Sequence, residues 1–286
     1  MTPTPVVFSD LDGTLYVGDE LVPGAPEAVT RLRNMGCTLR FLTNTDTVPP
    51  QTLQETLRER GFDVRVGEVF TPVSAALQLF EATRGRINVL PVVSSALLPT
   101  FAPYRHAGGA ITHVVVGNTH DTLTHQLLDL AFRALERGAT LIALQRGKYR
   151  KRPDGNHIDT GAITAALEHA TGVTSKLLGK PSPEFLRSAA ASVPVKPNAL
   201  WLIGDQPAND IAMGNAVGAH TIQVRTGMYA DQIDLTQTHP AETTLDSIVD
   251  MPAWLTRNEH QHCEPPRVRC TRGYGCAASD WAVFVA

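Results

Sequence analysis

Short apolar runs alternate with helix-period stretches along most of this chain. Residues 5–10 (PVVFSD), 38–44 (TLRFLTN), 175–180 (SKLLGK), 199–205 (ALWLIGD) and 220–224 (HTIQV) are dominated by apolar positions. Short runs of this kind suit strands buried on both faces. Between them, 23–36, 49–61, 182–193 and 209–218 carry helical spacing. Several of these open at Pro or Ser and stop at Gly, as helix ends prefer. The alternation predicts an α/β fold with a doubly wound, Rossmann-like parallel sheet covered by helices.

A second, self-contained alternation interrupts the first. Residues 86–93, 111–118 and 140–145 read as strands, while 123–138 and 159–172 read as helices. They fall between two strands assigned to the main sheet, so the pattern predicts an inserted α/β domain. The expected division is a core of residues 1–74 and 178–257, a cap of 75–177, and a loosely ordered tail of 258–286. The tail mixes Pro, Gly, Cys and Arg without sustained periodicity.

Composition narrows the function classes. Hydrophobic residues make up 43% of 286, ample for a buried core, and a net charge of −3 gives no broad basic field for nucleic acid or anionic lipid. No apolar run approaches the roughly 20 residues that span a bilayer, and the N-terminus lacks the basic region of a signal peptide. Cys37 stands apart from Cys263, Cys270 and Cys276 near the C-terminus. That uneven spread predicts a reducing, cytoplasmic setting. His260, His262 and the three late cysteines lack the spacing of structural zinc sites. The basic run at 146–155 reads as a solvated loop, and within it residues 148–152 read equally as a guide for an anionic substrate.

Candidate chemistry collects where strands should end, the usual ligand edge of a parallel sheet. Asp10 and Asp12 close the first strand, Thr43 and Asn44 the second, Lys180 a third, and Asp205 with Asp210 a fourth. Two carboxylates so close after a buried strand repel unless a cation lies between them. An EF-hand loop is the obvious alternative, but positions 14 and 15 are Thr and Leu where that loop needs a ligand and a glycine. The set suits phosphoryl transfer. Mg2+ is held by carboxylates, phosphate and water. Asp10 can act as nucleophile, Asp12 as acid and base, and Lys180 as a charge for the nucleophile and phosphoryl group.

DLDGTLY (10–16), FLTN (41–44), LLGKPSPEF (177–185) and IGDQPANDIAMG (203–214) stand in the order and spacing of the four motifs of the haloacid dehalogenase (HAD) superfamily, which the chain resembles over about residues 5–255. The long insertion resembles the large cap of its class IIA phosphatases. GATLIALQRGKYRKRPDG and DTGAITAALEHATG are similar to the branch containing phospholysine phosphohistidine inorganic pyrophosphate phosphatase. The resemblance implies Asp10 as nucleophile and Mg2+ ligand, and Asp12 as acid/base with its carbonyl on the metal. It further implies Asp205 as ligand, Asp210 in or beside the coordination sphere, Thr43 and Asn44 on phosphate, and Lys180 as the neutralising cation. Class IIA phosphatases often carry Thr-Asn-Asn followed by Ser. Here the run is Thr43-Asn44-Thr45-Asp46, which adds a negative charge expected near the substrate mouth.

The expected function is Mg2+-dependent hydrolysis of a small phosphorylated metabolite, with a homodimer through the cap implied by the resemblance. Hydrolysis of a pyrophosphate or P–N bond is an alternative on the same scaffold, as is C–halogen or C–P cleavage, though Asp12 disfavours dehalogenation. A phosphate-binding scaffold with little turnover is the other class of alternative. It should show a lesion at Asp10, Asp12, Lys180 or Asp205, and none is present.

Overall fold

The computed structural model describes residues 5–152, 154–193, 200–236 and 238–258. The chain opens with β1 (Val6–Asp10), a hairpin of β2 (Tyr16–Val17) and β3 (Glu20–Leu21), α1 (Ala25–Asn34) and β4 (Thr38–Leu42). It continues through α2 (Pro50–Glu59), β5 (Val69–Phe70) and α3 (Pro72–Ala82). Next come β6 (Val89–Val92), α4 (Leu98–Phe101), β7 (His113–Val116), α5 (His125–Glu136) and β8 (Thr140–Ala143). The hairpin of β9 (Tyr149–Arg152) and β10 (Gly155–Ile158) leads to α6 (Thr160–Thr171) and β11 (Lys176–Leu177). The last stretch holds α7 (Pro183–Ala190), β12 (Leu200–Gly204), α8 (Ala212–Val217), β13 (His220–Val224), β14 (Thr243–Leu245) and α9 (Met251–Arg257).

Two parallel sheets organise these elements. The larger has the order β14-β13-β12-β1-β4-β5, and the smaller β11-β8-β7-β6. β1 sits between β12 and β4, in register Val6↔Leu200 and Val6↔Thr38. All five of its residues are buried. Alternate side chains go to opposite faces, as a period of two requires. Phe8, Leu200 and Leu202 join one core layer, and Val7, Trp201 and Ile203 the other. The first layer runs on into Val89, Val115 and Ile142 of the smaller sheet and Val93 just after β6, so one hydrophobic body joins the two sheets. The far face of the smaller sheet packs on α5 and α6 through Leu135, Ile163 and Leu167.

Local chemistry sets the helix ends that matter here. Thr71 caps α3 by accepting from Ser74 N, and the Ser74 hydroxyl accepts in return from Thr71 N. α6 ends at Gly172 with φ 70°, the left-handed conformation that glycine adopts most readily.

The structure corrects three expectations. Residues 175–180 were expected as a strand of the main sheet, but β11 pairs with β8 at the edge of the smaller one, Lys176↔Ile142. A short apolar run reports burial, not which sheet buries it. The basic stretch at 148–152 is not a loop: residues 149–152 form β9, paired antiparallel with β10. The helix expected from 209 begins with a π-helical turn, Pro207–Ile211, before α8. α3, unread in the pattern, runs through position 75 and packs on α7. His260, His262, Cys263, Cys270 and Cys276, with the tail that carries them, lie outside the described residues. Among the described residues no helix is long and apolar enough to cross a membrane.

Leu202 is fully buried on β12, where its side chain also borders the position of Gly214 on α8. Leu202→Ala should lower unfolding free energy by about 2–5 kcal/mol, read as a drop in the urea midpoint at unchanged slope.

Candidate active site

Three neighbouring strands deliver side chains to one edge. β1 ends at Asp10, β4 runs into Thr43 and Asn44, and β12 runs into Asp205. Because β1 lies between the other two, connections leave it to both sides, and a crevice opens where the winding reverses.

Asp10, Asp205 and Asp210 are all buried there, with one carboxylate oxygen of each within 4.8 Å of the others. Lys180 reaches into the cluster, its Nζ donating to Asp10 Oδ1 at 2.5 Å and to Asp210 Oδ1 at 2.8 Å. Burial pulls the ammonium down, but the charges of Asp10 and Asp210 outweigh it and hold Lys180 above the ordinary lysine value. The aspartates show the other side of this balance. Burial, then the charges of Asp10 and Asp210, push Asp205 up to about 8. Burial and Asp10 raise Asp210 to about 6, against the pull of Lys180.

Asp205 Oδ2 accepts from Met228 N at 2.7 Å, and Asp210 Oδ2 accepts from Gln206 N at 3.3 Å. Asp10 Oδ2 and Asp205 Oδ1 stay buried with no hydrogen-bond partner among the described residues. Buried carboxylate oxygens are rarely left so. Three carboxylates around one ammonium leave an excess of two negative charges, and the donors are all oxygen. Both features fit a hard divalent cation such as Mg2+, with Asp10 and Asp205 as its side-chain ligands. Gly13 lets the chain pass close by: at φ 94°, a Cβ there would stand 2.2 Å from Asp205 Oδ2.

Asp12, expected with the metal, is exposed and its carboxylate lies outside this cluster. Its Oδ1 accepts from Gly18 N at 3.2 Å. Thr43 is buried, its Oγ1 accepting from Thr45 N at 3.1 Å. Asn44 is committed elsewhere than expected. Its Nδ2 donates to Lys180 O at 3.0 Å and its Oδ1 accepts from Lys180 N at 2.7 Å. The carboxamide therefore clamps the main chain of Lys180, holding a residue from the loop after β11 against the main sheet's edge. Gly179 makes the clamp fit, since a Cβ there would lie 2.5 Å from Asn44 Oδ1.

Asp46 does not lie at an open mouth. It is 3% exposed, and its Oδ2 accepts from Thr160 Oγ1 at the start of α6 at 2.5 Å. Thr160 also lines a cleft of about 240 Å³ with Asn118, His120, Arg150, His157 and Asp159. Beside it, Ser94 Oγ donates to Thr47 O at 2.7 Å, so two hydrogen bonds tie the loop after β4 to the inserted segment. Met228 and Gly18 were missed because they contribute main-chain N–H groups, which side-chain identity does not reveal. The Thr226-Gly227 pair after a buried strand was the available signal.

A sheet edge that gathers buried carboxylates around one ammonium suits the chemistry of phosphate-ester hydrolases. Comparison with known proteins gives the family. A haloacid dehalogenase-like hydrolase model matches residues 7–104, and a second HAD hydrolase-like model matches 177–251. Haloacid dehalogenase-like hydrolase domain-containing protein 2 from Homo sapiens is 37% identical over 223 residues, 78% of this chain and 85% of that protein. Phospholysine phosphohistidine inorganic pyrophosphate phosphatase from Danio rerio is 34% identical, over 80% of this chain and 86% of that one. The p-nitrophenyl phosphatase from Archaeoglobus fulgidus superposes with a TM-score of 0.81 at 26% identity, covering 88% of this chain and all (100%) of the other. The chain belongs to the haloacid dehalogenase-like hydrolases, in class IIA, and is a hydrolase of the phosphatase type.

Burial pushes Asp46 up to about 7 from 3.8, aided by the charge of Asp159 and opposed by the Thr160 hydroxyl and Arg150. A carboxyl raised in the folded state holds its proton there after the unfolded chain has lost it. Asp46 therefore withdraws stability as pH climbs from about 4 through 7. Asp46→Asn cannot titrate, and its advantage over the wild type in chemical denaturation should grow between pH 5 and pH 8, on the order of 3 kcal/mol.

Proposed function

We propose that this enzyme is a Mg2+-dependent phosphatase of small phosphorylated metabolites, working through a phosphoryl group carried on Asp10. One observation carries the reading. The Asp10 carboxylate touches Lys180 through Oδ1 while its Oδ2 is buried with no hydrogen-bond partner among the described residues. A nucleophile needs such a group, ionised, oriented and not capped by donors on both oxygens.

Asp10 attacks phosphorus, and the P–O bond to the leaving group breaks as the new one forms. Asp12, two residues on, gives its proton to the departing oxygen. It then takes one from the water that cleaves the acyl phosphate and regenerates Asp10. Lys180 holds Asp10 in place and balances charge on the transferring group. The Thr43 hydroxyl and main-chain N–H groups around Asn44 bind phosphate oxygens, while the Asn44 side chain keeps Lys180 in position. Asp210 fixes the far side of the lysine. Asp10 and Asp205, with the Asp12 carbonyl, would hold Mg2+, which would supply charge neutralisation for the phosphate.

The cleft lined by Arg150, His120 and Thr160 is tied to the loop after β4 by the Thr160–Asp46 hydrogen bond, and we assign it to the rest of the substrate on that link. The activities for which the relatives are named guide the panel to test. A p-nitrophenyl ester, inorganic pyrophosphate and P–N compounds belong in it beside sugar and alkyl phosphates. Diphosphate or P–N cleavage is the second reading, favoured by the identity to the Danio rerio protein. The proposal includes a cytoplasmic setting, from the uneven cysteine spread, and pairing through the cap, from the family resemblance; the weak net charge of −3 supports the absence of a nucleic-acid or anionic-membrane partner.

The decisive assay is the panel run with Mg2+ and with EDTA. Activity should require the metal, and Asp10→Asn should lower kcat by about 10³-fold or more. Wild-type turnover by that variant, or hydrolysis indifferent to EDTA, would overturn the reading. Mg2+ competes with protons at Asp205, so its affinity should rise as pH approaches 8, measurable by calorimetry.

A further inference from the structure

The β2–β3 hairpin follows directly on the first motif, yet little of it can hold itself. Each strand has two residues, paired Tyr16↔Leu21 and Val17↔Glu20. Val17 and Leu21 are both exposed, at 49% and 38%. A ribbon of that size is marginal in water without outside support. It nevertheless performs one defined task, since Gly18 at its turn donates its N–H to Asp12 Oδ1.

Main-chain hydrogen bonds hold its base, Gly13 N to Tyr16 O and Val22 N to Leu15 O, and Arg60, the residue that closes α2, adds support from outside. α2 is anchored through Leu53 and Leu57 in the core. From that fixed base the guanidinium lies 4.8 Å over the ring of Tyr16. Its Nη1 donates to Gly18 O at 3.2 Å, and its Nη2 donates to Asp19 Oδ1 at 3.3 Å. Asp19 is fully exposed, so that last contact adds little. The other two grip the hairpin at its buried base and at its turn. The Gly18 carbonyl and N–H lie on the two peptide planes that meet at its Cα, so gripping the carbonyl narrows the orientations open to the turn that carries the donor. The same N–H sets which oxygen of Asp12 is occupied and which is left for a proton.

We propose that Arg60 is a positioning residue for Asp12, acting through the hairpin so that one carboxylate oxygen is held by Gly18 and the other is presented to the leaving group. The proposal rests on reading Asp12 as the acid/base. Among the described residues Arg60 makes no hydrogen bond or ion pair to any of the three clustered aspartates. Its effect is confined to proton delivery.

That confinement makes it testable. A nitrophenolate departs without much help, whereas an alkoxide needs its proton. kcat/KM should therefore fall by about tenfold for glycerol 2-phosphate and by less than about threefold for p-nitrophenyl phosphate in Arg60→Met. Arg60→Lys keeps a cation near Tyr16 and one reach to Gly18, and should fall between. If Arg60→Met does not fold, the lysine variant decides alone by the same ratio. Amide exchange at Gly18 should quicken in both variants. Equal losses on the two esters, or unchanged exchange at Gly18, overturn the proposal. Asp12→Asn separates the two levels. If it too penalises both esters equally, the acid/base reading fails and takes this proposal with it. If it discriminates and the Arg60 variants do not, only the role of Arg60 falls.

Discussion

The ammonium of Lys180, buried between Asp10 and Asp210, is the interaction on which the rest of the structure turns. Three carboxylates taken out of water at one sheet edge would otherwise repel one another strongly. One internal cation compensates part of that charge and leaves a deficit that suits a divalent ion. Burial first, and then the neighbouring carboxylates, raise Asp205 and Asp210, so with only Lys180 present both hold protons more tightly than free carboxyls. Binding a cation and binding protons are thus alternative ways of settling the same charge.

Placing that lysine needs both sheets. Lys180 follows β11, the edge strand of the smaller sheet, yet its side chain ends among residues of β1 and the turn after β12. The Asn44 carboxamide bridges the gap by pairing with both main-chain groups of Lys180. Thr160 and Ser94 tie the next residues of the same loop to the inserted segment. The loop after β4 is therefore held at three points, one by the charged centre and two by the insertion. A substrate lying against Thr43 would meet a surface whose shape both parts of the molecule determine.

Much of this was legible beforehand. Buried parallel strands read well because both faces are covered, giving runs such as VVF and LWLI at 6–8 and 200–203. Asp10, Lys180, Asp205 and Asp210 were legible as charged residues at or just beyond strand ends, and the structure gathers them in one buried cluster. β5 and α3 were not read, since two-residue strands carry no period and α3 is apolar on more than one side. Asn44 was legible as a polar residue at a strand end but not as a clamp, because its partner is the main chain 136 residues away.

The amino-acid sequence by itself determined the α/β alternation, the presence of an insertion, and the residue types able to handle phosphate. These follow from local periodicity and from charges that must sit beside buried strands. Tertiary structure alone decided which sheet claims residues 176–177, that Asp46 is buried against α6, and that Arg60 reaches the turn holding Asp12. Each of those is a contact between distant segments, made through space by pairing and packing. No periodicity along a chain encodes where two such segments meet.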